Sequence, residues 1–210
     1  MILTKPFWPK LWAKKIIVAF LLLTFASLSP VLDGKKMSEI NEYTLKARII
    51  YMIACDINWP KETGIDERNQ PVVIAVINNP FGKSLVEQAS GWEMRGKRFK
   101  VENIEEPGQI PSPCHILYIA EVSNKKLKDI LENISGKAIL SIGDISGYAE
   151  KGTIMDLAID YDSDTSKTKI QVNEMMARKA GFNLPEKFLK KSGMITNIKP
   201  LNDSSVKPIK

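Results

Sequence analysis

The sequence has one histidine and two cysteines in 210 residues. A zinc centre built from several imidazoles and thiolates is therefore excluded, because too few ligands of the right softness exist. No G-x-S-x-G turn is present to lift a serine nucleophile, and no glycine-rich fingerprint is present to cradle phosphates. Internal repeats, low-complexity blocks and a mid-chain linker are also missing. Length and 44% apolar content then favour one globular domain. Basic charge is thinner than it looks. The net charge is +6, but Lys5, Lys10, Lys14 and Lys15 against Asp33 place +3 of it in the first 34 residues. The +3 left over is too scattered to make a nucleic-acid face.

What the chain does contain is organised around residues 71–82, PVVIAVINNPFG. Val72, Val73, Ile74, Ala75, Val76 and Ile77 are continuously apolar and rich in β-branched side chains, the pattern of a strand covered on both faces. Asn79 is placed to cap a following helix and Pro80 to open it. Upstream, Ser38-Glu39 suits a helix start. Tyr43, Ala47, Ile50, Tyr51, Ala54 and Ile57 then recur at helical spacing until Pro60 stops the helix at Trp59. Downstream, the pattern predicts a helix at 84–89, a half-buried edge strand at 98–104 and a proline-rich loop at 107–113. A buried strand at 115–120, a helix at 125–134 and a buried strand at 137–142 follow. Strands alternating with short helices imply parallel pairing and right-handed crossovers. After a loop at 144–152, strands at 153–160 and 167–172 form an antiparallel hairpin. Asn173 caps a helix at 174–180, Gly181 ends it, and Pro185 starts a last helix at 186–191. The fold class expected is α/β: a single three-layer domain with a mixed, mainly parallel sheet flanked by helices, and a C-terminal antiparallel hairpin.

Residues 1–34 read as a signal peptide. Four lysines precede a ten-residue apolar core at 16–25, and small residues follow. The uncharged run over 16–32 is at the short limit for a spanning helix, so an uncleaved N-terminal membrane anchor is the alternative reading. Either way the body, 37–197, is expected outside the cytoplasm, with an unordered tail at 198–210. In such a compartment Cys55 and Cys114 permit one disulfide, and two buried free thiols are the other reading.

The candidate chemistry is sparse. Asp160, Asp162 and Asp164 have the opening spacing of a calcium loop, yet Thr165 and Gln171 stand where that loop needs glycine and a closing glutamate. A solvated hairpin tip explains them better, and no metal is expected. Cys114-His115 formally allows a Cys–His pair. Neighbours on a strand point to opposite faces, so the two diverge and no catalytic residue is expected. Ligands of open α/β sheets sit beyond the carboxyl ends of parallel strands. That places Asn78, Asn79, Gly82, Asp144 and Tyr148 at the expected ligand or partner edge, with capping as the plainer account of both asparagines.

The motifs, taken in order, resemble one family. Tyr43-Thr44-Leu45-Lys46-Ala47, Tyr51, Trp59-Pro60, Asn79-Pro80-Phe81-Gly82 and Gly96-Lys97-Arg98 come first. Cys114-His115-Ile116-Leu117-Tyr118-Ile119, Ile139-Leu140-Ser141-Ile142, Gly147-Tyr148-Ala149-Glu150-Lys151-Gly152, Ile170-Gln171-Val172-Asn173 and Ala180-Gly181-Phe182 follow. Together they are similar to the YfiR-like family. The resemblance implies an exported, periplasmic, non-enzymatic regulator without a cofactor, which represses an inner-membrane diguanylate cyclase and so restrains cyclic-di-GMP output and biofilm formation. A sensor kinase is the other partner class, and a homodimer is left open. A periplasmic small-molecule binder using the strand-end crevice is the alternative. Departures fall at Gly152-Thr153-Ile154 and at 184–189. Cys114 stands where the family often has cysteine and Cys55 does not, so no family disulfide carries over.

Overall fold

The structure is a computed structural model that describes residues 34–67, 70–162, 165–190 and 195–197. The export segment up to residue 33, the tail from 198 and Asp164 of the aspartate triplet lie outside the described residues. The described residues from Glu39 onward form one compact unit. No helix among the described residues is long and apolar enough to cross a membrane.

Strand β1 (Val72–Ile77) is buried along its whole length, as its unbroken apolar run requires. It sits inside an eight-stranded sheet. β3 (Lys97–Ile104) pairs with it in parallel on one side and β4 (Ile116–Ile119) on the other. Beyond β4 the sheet continues in parallel through β5 (Leu140–Gly143) to β6 (Met155–Asp162). β7 (Thr165–Val172) returns antiparallel to β6, so the predicted hairpin is present, and β8 (Ile195–Asn197) adds a last parallel pair. The opposite edge is β2 (Glu93–Met94), antiparallel to the start of β3. The sheet is mixed and mainly parallel, in an α/β fold.

Alternation along the strands sorts the core into two layers. Val72, Ile74, Val76, Ile116 and Tyr118 face one cluster, which α1 (Gly34–Asp56) covers with Ala47, Ile50, Ile53 and Ala54. The short helices α2 (Ser84–Ala89), α5 (Glu174–Lys179) and α6 (Glu186–Leu189) add Leu85, Ala177 and Phe188 to it. Ala75, Ile77, Leu117 and Ile119 face the other cluster, closed by Leu127 and Ile130 of α3 (Asn124–Asn133) and by Tyr148 of α4 (Tyr148–Lys151).

Several boundaries differ from the sequence reading, each for a local reason. α1 starts at Gly34, ahead of Ser38, and stops at Asp56, because Asn58 leaves the helix to bridge Asn183. Pro80 does not open a helix. The Asn79 side chain accepts from the Phe81 N–H at 2.9 Å and closes a turn, so α2 begins at Ser84. The loop at 144–152 contains α4. Asn173 caps its helix as expected, accepting from the Met176 N–H at 3.0 Å, and Pro185 precedes a last helix that ends at Leu189, short of the expected 191.

Candidate functional site

The carboxyl ends of β4 and β5 hold a buried charge cluster. The chain leaves β5 at Gly143, where an added Cβ would lie 2.6 Å from the Tyr148 Cβ and 2.8 Å from Asp156 Oδ1. Only glycine fits there, and this close approach lets the next residue turn inward. Asp144 is tied down when its N–H donates to the Ile119 carbonyl at 2.9 Å. Its side chain is 5% exposed, and Lys46, from the inner face of α1, is 3% exposed.

The Lys46 ammonium donates to Asp144 Oδ1 at 2.5 Å, to the Asp144 carbonyl at 3.3 Å, and lies 2.7 Å from Glu42 Oε1. Each ammonium proton thereby has an oxygen to meet, which is what burying a cation demands. Tyr118, fully buried on β4, donates its hydroxyl to Asp144 Oδ1, and Tyr43 donates to Oδ2 at 3.3 Å. Burial, reinforced by the Asp144 charge, pushes the Tyr118 phenol well above its ordinary range, so it stays a donor. Phe81 packs edge-on against both Tyr43 and Tyr118, at centroid distances of 5.3 and 4.8 Å. One cluster thus joins α1, β4, β5 and the turn after β1.

A cleft of about 330 Å³ opens over this cluster, lined by Glu42, Tyr43, Lys46, Asn78, Glu121 and Asp144 among others. Of the five residues expected at this edge, the structure brings Asn78 and Asp144 into the cleft. Asn78 adopts a left-handed φ of 56° and donates to the Glu121 carbonyl at 2.9 Å. Asn79 and Gly82 close the turn instead, with Asn79 donating to the Gly82 carbonyl at 2.9 Å. Tyr148 is 1% exposed and its hydroxyl is spent on Val122, accepting from the N–H at 2.9 Å and donating to the carbonyl at 3.1 Å. Lys46, Tyr43 and Tyr118 were not among the site residues expected from the sequence. A signal for Lys46 existed: it stands three residues after Tyr43 and four before Ile50, on the inward side of the helix, where a charge needs a buried partner.

A second buried carboxylate lies beside the first. Asp156 is completely buried. Its Oδ1 accepts from the Thr153 hydroxyl at 3.0 Å, while Oδ2 has no hydrogen-bond partner among the described residues. Burial raises its pKa to about 6, against the opposing pull of Thr153 and the backbone N–H groups of residues 147–149.

The buried polar groups at the amino edge of the sheet are neutral. His115 is 1% exposed, and its Nδ1 accepts from the Val73 N–H at 2.9 Å. Burial, with Lys97 as a smaller cause, lowers its pKa, so the ring is held neutral. It leans on Trp59, whose Nε1 donates to the Ala54 carbonyl at 2.8 Å. Cys114 packs in the other cluster, so the Cys–His pair diverges as strand geometry requires. Both cysteines are free thiols, which corrects the disulfide considered between them. Cys55 is exposed on α1, and α1 covers one sheet face; Cys114 is buried under the other, where burial lifts its thiol to about 12. The two share a sheet edge and are separated by the sheet itself.

No functionally curated protein matches the chain. Two solved structures are among those to which the chain is similar. The ABC domain from Streptococcus pneumoniae, in complex with L-Trp, is 13% identical with a TM-score of 0.46, covering 74% of this chain and 60% of its own. A conserved domain protein from Vibrio cholerae O1 biovar El Tor is 15% identical with a TM-score of 0.48, covering 75% of this chain and 60% of its own. This chain therefore spans about three fifths of each neighbour's length. The family-level match is broader in meaning: the profile described as YfiR/HmsC-like runs over residues 43–192, from Tyr43 of the charge cluster to the residues just beyond α6. That span is well over half of the chain, and the chain belongs to the YfiR/HmsC-like family.

Proposed function

We infer that the protein is a non-enzymatic regulator of the periplasm that binds and represses an inner-membrane diguanylate cyclase, with 1–34 as the export segment, 37–197 as the regulatory domain and 198–210 as a tail. The observation that carries this reading is the family match over residues 43–192. The charge cluster is consistent with it. Lys46 and Tyr118 are committed to Asp144 in the resting fold, an arrangement suited to holding α1 on the sheet and ill suited to moving protons.

The test is genetic and chemical together. Deleting the gene in a strain that carries the cognate cyclase is expected to raise cyclic-di-GMP, read by mass spectrometry, and to thicken biofilm. Expressing the chain with residues 1–34 removed is expected not to restore repression. Nucleotide levels unchanged with every membrane cyclase and sensor kinase of the strain would sink this reading.

The cleft over Asn78 and Asp144 favours a second reading, a periplasmic binder of small molecules at the strand-end crevice. A compound carried through purification and released on denaturation, at close to one per chain, would support it. Substituting Asn78→Ala and finding the compound equally retained would remove it.

A further inference from the structure

The side of the sheet covered by α3 carries a surface that the readings above leave unused. α3, the end of α4 and α5 flank a trough made of two adjoining cavities of about 570 and 230 Å³, which share Leu131, Ser135 and Lys151. The floor is apolar. Leu127, Ile134 and Ile154 lie deep in it with at most 9% exposure, and Leu131 and Met176 are half-buried above them. Around this floor stand four lysines, Lys128, Lys137, Lys151 and Lys179, against one glutamate, Glu132. Of the four, Lys128 alone has a carboxylate within 4 Å among the described residues: Glu132 at 3.7 Å. Lys137 and Lys151 reach the neutral amides of Asn133 and Asn124.

We propose that this trough is the docking surface for an acidic amphipathic helix of a partner protein. Leu127, Leu131 and Ile134 repeat at helical spacing along α3, and a ten-residue helix offers a ridge of about 15 Å, enough to seat two to three turns of a partner. Charge decides what fills the trough. The chain's own terminal segments are basic, with Lys5, Lys10, Lys14 and Lys15 at one end and Lys199, Lys207 and Lys210 at the other. A second copy of the chain would set lysine against lysine. A bilayer surface meets protruding groups first and leaves a recessed floor unfilled, whereas a helix places apolar side chains on the floor and carboxylates at the rim. The proposal gives the regulatory reading a contact surface and rests on it only in taking the partner to be a protein.

The test uses the purified chain without any cyclase, so that its outcome is separable from the cyclic-di-GMP measurement. The probe is a fluorescent eighteen-residue helical peptide with leucines at i, i+3, i+4 and i+7 and glutamates beside them, read by anisotropy. Micromolar binding is expected, weakening at least tenfold when salt rises from 0.05 to 0.5 M and at least tenfold in the double variant Lys151→Glu, Lys179→Glu. A second double variant, Lys128→Glu, Lys137→Glu, is expected to act in the same direction, and circular dichroism checks that each variant is folded. The proposal is overturned if a peptide with lysine in place of glutamate binds equally well, if folded charge-reversed variants bind like wild type, or if the acidic peptide fails to bind. Co-sedimentation with phosphatidylglycerol vesicles while the acidic peptide stays free would assign the trough to the membrane instead, and would equally overturn it.

Discussion

Asp144 and Asp156 are neighbours at the carboxyl edge of the sheet, buried alike and accommodated in opposite ways. Asp144 has a cation, two phenols and a fixed place at the centre of a cluster that reaches from α1 to β5. Asp156 has a threonine hydroxyl and nearby backbone N–H groups, but no cation among the described residues, and one of its oxygens is unpartnered. The difference shows two routes by which a carboxylate survives burial: compensate the charge, or surrender it at mildly acidic pH.

Breaking the compensated site should have the larger effect. Lys46→Met removes the cation and leaves Asp144 charged and dry, a change expected to cost about 3–5 kcal/mol in urea unfolding. Adding Asp144→Asn to Lys46→Met should recover a large part of that loss, since the stranded charge is then gone. A double variant no more stable than the single would mean that the pair is not the element holding α1 down.

The uncompensated site should respond in the opposite sense. The folded pKa of Asp156, raised to about 6 from 3.8, contributes stability that is complete below pH 4 and lost as pH climbs to 6. Asp156→Asn is therefore expected to stabilise the protein at pH 7.5 by at most about 3 kcal/mol and to flatten that part of the profile. His115 works against it from the amino edge. Its folded pKa lies below the ordinary 6.5, so its contribution is complete above pH 6.5 and is lost as pH falls further. In Asp156→Asn the acid-side loss from His115 should stand alone, which thermal melts between pH 4 and 8 would reveal. An unchanged profile would mean that burial does not raise the Asp156 carboxyl above the ordinary carboxylate range.

Tyr118→Phe sharpens the comparison at smaller scale. It deletes one donor to Asp144 without touching Lys46, and about 1–2 kcal/mol of destabilisation is expected on denaturant titration. The smallest effect belongs to Cys55→Ser, within about 0.5 kcal/mol of wild type, because the residue is exposed. The unreduced native chain should react with one equivalent of a thiol reagent, at Cys55, and with a second, at Cys114, only after denaturation.

The sheet was legible in the sequence because its inner strands are apolar runs without alternatives: residues 72–77 and 116–119 have no other way to hide six and four such side chains. Its margins were not. β2 and β8 are two and three residues long, too short to show a period, and are strands only because β3 and β7 offer them an edge. The site was half legible. Topology alone put Asn78 and Asp144 at the carboxyl edge, whereas Tyr148 and Asn79 were claimed by backbone groups that no sequence pattern announces. Lys46 was hidden by convention, since lysine on a helix is read as solvated until the register of the apolar stripe is followed through it. The cysteines show the remaining gap, because sharing a sheet edge says nothing about sharing a sheet face.

The way α1 is anchored also sets a timetable. Its apolar side packs in the cluster that holds Ile154, Val172 and Phe182, and its buried lysine reaches an aspartate 98 positions downstream. Of the described elements synthesis makes this helix first, and while β1 and α2 follow soon after, its charge partner Asp144 and the part of its cluster at Ile154, Val172 and Phe182 come from the second half of the chain. Contacts that distant in sequence form slowly, and until they form the helix presents Ile50, Ile53 and Ala54 to whatever is near. Until those later strands are made, the earliest of the described elements lacks both its charge partner and part of the surface it packs on.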